Sequence, residues 1–160
     1  MEKVKRLKVK SMEIVIRRTH KTEVAVDGYL SINNERVCDT AECREKTLPA
    51  GEYLISMVKC KQYGRRCVCV GTPDCATCTQ LRTEYVNNNT VMPKVCPMLK
   101  MGNGVTARPD GSIILGERIC DEPSVPVWGS MIHTKAAYER VFDCVRKNLE
   151  RGHKVRLRVQ

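Results

Sequence analysis

"TKAAYERVFDCVRKNLERGHKVRLRV" (134–159) is the stretch that decides the fold. Ala137, Tyr138, Val141, Phe142, Val145 and Leu149 recur at steps of three and four residues, which lines one face of a helix with apolar side chains. The spacing predicts a helix over about 134–151. Gly152 is placed to end it, because glycine enters the left-handed region without steric cost. "KVRLRV" (154–159) then alternates basic and apolar residues, the period of a half-buried strand.

Upstream of this helix the pattern is that of strands. "MEIVIRR" (12–18) alternates Met12, Ile14 and Ile16 with charged or outward positions. "EVAVDGYLSINNERVCDTAE" (23–42) reads as two β-rich runs joined at Asn33 and Asn34. Both asparagines tolerate left-handed backbone and so suit a tight hairpin. "TLPAGEYLISMVK" (47–59) turns at Pro49–Gly51 and enters another strand, and "RCVCV" (66–70), "VCPML" (95–99) and "SIILG" (112–116) have the same character. The last two are separated by the Gly- and Asn-rich "KMGNGVTARPDG" (100–111). Many strands, one late helix and a closing strand predict an α+β fold: a mostly antiparallel β-sheet or barrel. The length of 160 residues fits one domain over 1–160, with a cysteine-rich inserted loop at about 66–92. From Gly71 to Met92 that insert has no stable period.

Aromatic residues make up 4% of the chain, so the core must be built from Val, Ile, Leu, Met and Cys. The net charge of +10 points to an anionic partner, an acidic polymer that is peptidoglycan-related or a nucleic acid. Much of that charge lies in "MEKVKRLKVK" (1–10) and "RKNLERGHKVRLRV" (146–159), and no interleaved aromatics are present to stack bases. This favours a solvated basic surface over specific base recognition. No apolar stretch approaches the roughly 20 residues that span a membrane. The basic N-terminal stretch lacks the apolar core of a signal peptide, so a cytoplasmic protein with reduced thiols is expected.

"CKQYGRRCVCVGTPDCATC" (60–78), which runs into the insert, holds Cys60, Cys67, Cys69, Cys75 and Cys78. Cys75-x-x-Cys78 is a knuckle able to give two thiolates to a tetrahedral zinc, and Cys67-x-Cys69 could supply the other two. A structural zinc on Cys67, Cys69, Cys75 and Cys78 therefore stands beside two other readings, a surface dithiol and plain reduced cysteines. Cys38, Cys43, Cys96, Cys120 and Cys144 are scattered.

"ARPDGSIILGE" (107–117) delivers Ser112 from a Pro-Asp-Gly turn straight into an apolar run. Taken in order, "IRRTH", "GYLSINNERVCDTAE", "LPAGEYLI", the Gly-Asn-rich loop before "GSIILG", "HTKAAYERVF" and the basic closing strand resemble a family of small bacterial and phage domains of unknown function. The resemblance covers about Glu13 to Val159, apart from the insert. That family in turn resembles the L,D-transpeptidases, cysteine enzymes that cross-link peptidoglycan. The resemblance implies a thiolate nucleophile activated by an imidazole. In this chain Lys100 takes the histidine position and Ser112 the cysteine position, so both groups are replaced. His20, His133 and His153 lie near element ends, where surface or capping roles are expected.

These residues support a non-catalytic β-rich domain that acts through binding, in a cell-wall or prophage setting. Two alternatives remain: a transpeptidase-like acyl transferase or hydrolase using Ser112 with Lys100 as base, and a zinc-stabilised nucleic-acid-binding module. The first alternative requires a desolvated lysine, because a hydrated ammonium holds its proton at neutral pH.

Overall fold

The computed structural model describes residues 11–45, 47–60, 65–71, 97–102, 111–121 and 125–160. Among these residues there are nine strands and one helix: β1 (Ser11–Lys21), β2 (Ala25–Ile32), β3 (Glu35–Cys43), β4 (Gly51–Cys60), β5 (Arg65–Val70), β6 (Met98–Lys100), β7 (Ile113–Asp121), β8 (Val125–Ile132), α1 (Thr134–Glu150) and β9 (Lys154–Val159). The order β3-β2-β1-β9-β4-β5-β6-β7 returns to β3 through a β3–β7 pairing, which closes an eight-stranded barrel. β8 extends the sheet from β7 and packs over β2 and β3. Most pairings are antiparallel; β1 with β9 and β6 with β7 are parallel. The expected α+β class, the β-rich barrel, the late helix and the closing strand are all present.

Asn33 and Asn34 have φ of 48° and 71° and join β2 to β3 in a two-residue turn. Two consecutive left-handed residues match the twist of the flanking strands, which is why asparagine suits both places. Asn33 also ties the hairpin to β1, its Oδ1 accepting the Glu13 N–H at 3.1 Å.

The closing strand shows its alternation plainly. Val155, Leu157 and Val159 are buried between β1 and β4, while Lys154 and Arg156 are exposed. Met12, Ile14 and Ile16 of β1 and Ile113 and Leu115 of β7 join them inside the barrel. Ala137, Tyr138, Val141 and Val145 of the helix enter the same core, with Phe142 and Leu149 packed against it and only partly buried. Gly152, at φ 77°, ends the helix as expected, its N–H donating to the Leu149 carbonyl at 3.0 Å. His133 precedes the helix at φ 52° without a side-chain cap. It pairs instead with Glu117, Nδ1 to Oε2 at 2.9 Å.

β8, "VPVWGSMI", has no counterpart in the sequence reading. Pro126 and Gly129 are both poor strand formers, and together they mask its period. Of the run "VCPML" (95–99), Met98 and Leu99 lie in β6, which ends at Lys100, while 95–96 fall outside the described residues.

Strand directions sort the barrel ends. β1, β3, β5 and β9 finish where β2, β4, β6 and β7 begin. The helix covers the other end. Its first residue, Thr134, accepts the N–H of Gly102 just beyond β6, and its last turn leads into the start of β9. No helix among the described residues is long and apolar enough to cross a membrane.

Gly28 allows a close strand approach, since a Cβ there would stand 2.2 Å from the Arg17 carbonyl oxygen. Gly28→Ala is expected to destabilise the fold by about 1–3 kcal/mol in urea unfolding, because backbone rather than a flexible side chain must move. The cysteines offer a separate check. Burial pushes the Cys38 thiol up to about 12, whereas Cys120 is exposed. Iodoacetamide at mildly alkaline pH should modify Cys120 in the native protein and reach Cys38 only after unfolding, as read by peptide mass mapping.

Candidate functional site

The end of the barrel opposite the helix carries the polar chemistry. The inward row of β1 runs Met12, Ile14, Ile16 and then Arg18, while that of β3 runs Cys38, Thr40 and Glu42. Strand periodicity thus brings a cation and a carboxylate into positions that would otherwise be apolar. Arg18 and Gly28 are register partners, as are Gly28 and Thr40. With no side chain on Gly28, the Arg18 guanidinium reaches across β2 to the carboxylate on β3. Nε donates to Glu42 Oε2 at 2.9 Å, and Nη2 donates to Glu42 Oε1 at 2.8 Å and to the Leu48 carbonyl. The Glu42 side chain is 1% exposed and that of Arg18 20%. The hydrogen bonds from Arg18 to Glu42 raise the arginine pKa against the opposing effect of burial. A two-pronged pair of this kind resolves the cost of a carboxylate inside a barrel.

A pocket of about 320 Å³ opens beside this pair, lined by Arg18, Thr19, His20, Lys21, Val26, Arg44 and Thr47. Four of these seven side chains are basic or imidazole, and none is acidic. Lys21 and Arg44 are exposed. Arg44 is steadied by Nη1 donating to the Thr22 carbonyl at 2.8 Å. Neither Lys21 nor Arg44 has an ion-pair partner among the described residues.

Ser112 belongs to the same barrel end. It stands one residue before Ile113, whose register partners are Glu42 on β3 and Leu99 on β6. Gly111, at φ 81°, makes the turn that delivers it. The residue is 6% exposed, and its Oγ accepts the Met98 N–H at 3.1 Å. Lys100 lies further along β6, level with Ile114, so it is two residue steps beyond the level of Ser112. Two strands, β2 and β3, separate β1 and its His20 from β7. His133 is engaged with Glu117, and His153 Nδ1 lies 2.9 Å from Asn148 Oδ1 beyond the end of the helix.

A second polar group fastens β8 to the outside of the barrel. Asp27, buried on β2, accepts the Gly129 N–H at 2.8 Å through Oδ2 and lies 4.0 Å from Arg118 Nε. Arg118 also donates Nη2 to the Gly28 carbonyl, and its backbone N–H goes to Asp39. Burial raises the Asp27 pKa, against the lowering effects of the Gly129 hydrogen bond and of Arg118.

Cys67 and Cys69 both lie on β5 and are buried, while Cys75 and Cys78 fall outside the described residues, as does most of the insert. Among the described residues, no group of three or more His, Cys, Asp or Glu side chains is arranged to hold a metal ion. Cys38, Cys43, Cys120 and Cys144 are free thiols.

No family model matches the chain, and no curated protein or solved structure matches it.

The sequence reading did not single out Arg18, Glu42, Lys21 or Arg44, and it gave His20 only a surface or capping role. The usable signal was the acidic residue ending the alternating row Cys38, Thr40, Glu42, matched by Arg18 at the end of the row that begins at Met12. If the pair is what tolerates the buried carboxylate, Arg18→Met should cost about 3 kcal/mol, because Glu42 is left without its cation. The double variant Arg18→Met with Glu42→Leu should recover most of that loss. Chemical denaturation of the three proteins reads the coupling.

Proposed function

We propose that the protein is a non-catalytic binding domain whose barrel end seats an anionic ligand. One observation carries this reading: a pocket beside the buried Arg18–Glu42 pair is lined by Arg18, His20, Lys21 and Arg44 and by no acidic residue. A concave site with one sign of charge and low-dielectric walls concentrates its field on a counter-ion. Lys21 and Arg44 supply that charge, and Arg18 is held rigidly at the wall.

The state of Ser112 argues against acyl transfer. A hydroxyl becomes a strong nucleophile only when a base takes its proton. Here the oxygen is buried and already accepts a backbone N–H. Lys100 is offset along β6, and the imidazoles of His133 and His153 are engaged elsewhere. On this reading the turn at Ser112 stands where L,D-transpeptidase-like proteins place a nucleophile, and the barrel end retains binding without the reaction. An acidic polymer, a nucleic acid or a peptidoglycan-related chain, is the partner class that suits the net charge of +10.

A labelled single-stranded oligonucleotide and polyglutamate serve as probes, with binding followed by fluorescence anisotropy across a salt series. Binding should weaken in Lys21→Gln and Arg44→Gln and stay unchanged in Lys135→Gln, an exposed cation on the helix. For the oligonucleotide, each lost phosphate contact should flatten the slope of log K against log salt by about 0.7. Ser112→Ala should bind as the parent does, and a serine-directed acylating probe should leave Ser112 unmodified. Stoichiometric labelling of Ser112 that disappears in Lys100→Met would make the protein an enzyme instead.

A further inference from the structure

We propose that the pocket beside Arg18 recognises a phosphate monoester dianion, as the free ion or as the phosphorylated end of a small molecule. This rests on the anion-binding reading above and names its ligand class. The first ground is the geometry of Arg18. Of its five N–H donors, the one on Nε and the two on Nη2 are engaged by Glu42 and the Leu48 carbonyl. Those bonds fix the guanidinium plane. The two N–H groups that remain are both on Nη1, which has no hydrogen-bond partner among the described residues. A pre-oriented pair of donors on a residue lining a cavity is suited to the oxygens of an oxyanion, with little ordering left to do on binding.

The second ground is charge. Glu42 neutralises Arg18, so the unmatched charge at the pocket is that of Lys21 and Arg44. Two positive charges match a phosphate monoester, which carries close to two negative charges at neutral pH, better than a carboxylate or a phosphodiester with one. The third ground is the spread of the donors over the chain. Lys21 lies on β1, Arg44 follows β3, and Thr47 precedes β4. The Thr47 hydroxyl makes no hydrogen bond among the described residues. Donors arriving from three segments suit a tetrahedral group with three terminal oxygens rather than a planar carboxylate. At about 320 Å³ the pocket also has room for a small organic group beyond the phosphate.

The test is isothermal titration of the full chain at neutral pH and low ionic strength with glycerol 3-phosphate, inorganic phosphate, dimethyl phosphate and acetate. Glycerol 3-phosphate should bind about tenfold or more tightly than dimethyl phosphate and acetate, the size of one charge-assisted hydrogen bond. Inorganic phosphate binding equally well would support the site and identify the free ion as sufficient. Preference for glycerol 3-phosphate would support it and show that the attached group is read. Arg44→Gln and Lys21→Gln are exposed substitutions that leave the Arg18–Glu42 pair in place, so circular dichroism should be unchanged while phosphate affinity falls. Equal binding of dimethyl phosphate or acetate would overturn the proposal, as would an equal loss in Lys135→Gln. If the oligonucleotide binds through Arg44 but glycerol 3-phosphate does not bind, the ligand class is wrong and the anion-binding function stands. If no anion binds, both fall.

Discussion

The pairing of β3 with β7 is the constraint on which the rest of the structure depends. Asp39 to Glu42 align with Gly116 to Ile113 and turn an open sheet into a barrel. Without that pairing both strands would present unsatisfied backbone along a free edge. Closure also fixes the interior volume, and a chain with few aromatic residues must fill it with branched aliphatics. The helix provides the missing bulk. Tyr138 and Phe142, the latter the only phenylalanine in the chain, lie with ring centroids 5.8 Å apart on the face turned to the barrel. Closing the sheet and covering one end with the helix are therefore two parts of one solution to the packing problem.

Closure has a cost at the opposite end. Strict alternation along β3 sends Thr40 and Glu42 inward behind Cys38, and both are 1% exposed. A carboxylate there requires a cation, and the neighbouring strand β2 brings none within its own row. Arg18 comes from one strand further away, over Gly28. The glycine is required by the close approach of β2 to the Arg17 carbonyl, and it stands in register between Arg18 and Thr40, in the row that the guanidinium crosses. The Thr40 hydroxyl, level with Gly28, has no hydrogen-bond partner among the described residues. A row holding a glycine, an unpartnered hydroxyl and a buried ion pair makes a poor apolar core. Such departures from internal consistency are where a fold is expected to carry function.

Much of the architecture was legible because its signals are local. The hairpin rests on two adjacent asparagines, the helix on a stripe that runs from Ala137 to Leu149 over about three turns, and the closing strand on simple alternation. What was not legible depends on contacts distant in sequence. β8 carries Pro126 and Gly129 in a short run, and its position is set by Gly129 meeting Asp27 about a hundred residues away. Arg18 and Glu42 are likewise brought together only by the order of β1, β2 and β3 and by the absence of a side chain at Gly28. Read singly, Arg18 is one of 28 basic residues and gives no sign of its partner. The cysteine motif had the opposite character. It was conspicuous in the sequence, yet only Cys67 and Cys69 of its proposed ligands lie among the described residues, on a strand of the barrel wall.

Ser112 shows why a turn motif and a reaction are separable. The left-handed Gly111 and the apolar strand that follows are requirements of backbone geometry, and they persist whatever side chain stands at the turn. Chemistry adds separate requirements: exposure to a substrate, a base within reach and donors for a developing charge. Ser112 meets the first set, while its burial and its bond from the Met98 amide serve the junction of β6 and β7. Electrostatic resources at this end lie on Arg18 and Lys21 of β1, separated from β7 by β2 and β3, and on Arg44, which follows β3 beside β7. The cations of this end are one guanidinium held by Glu42 and two exposed side chains, Lys21 and Arg44. Binding is the function we propose for that arrangement.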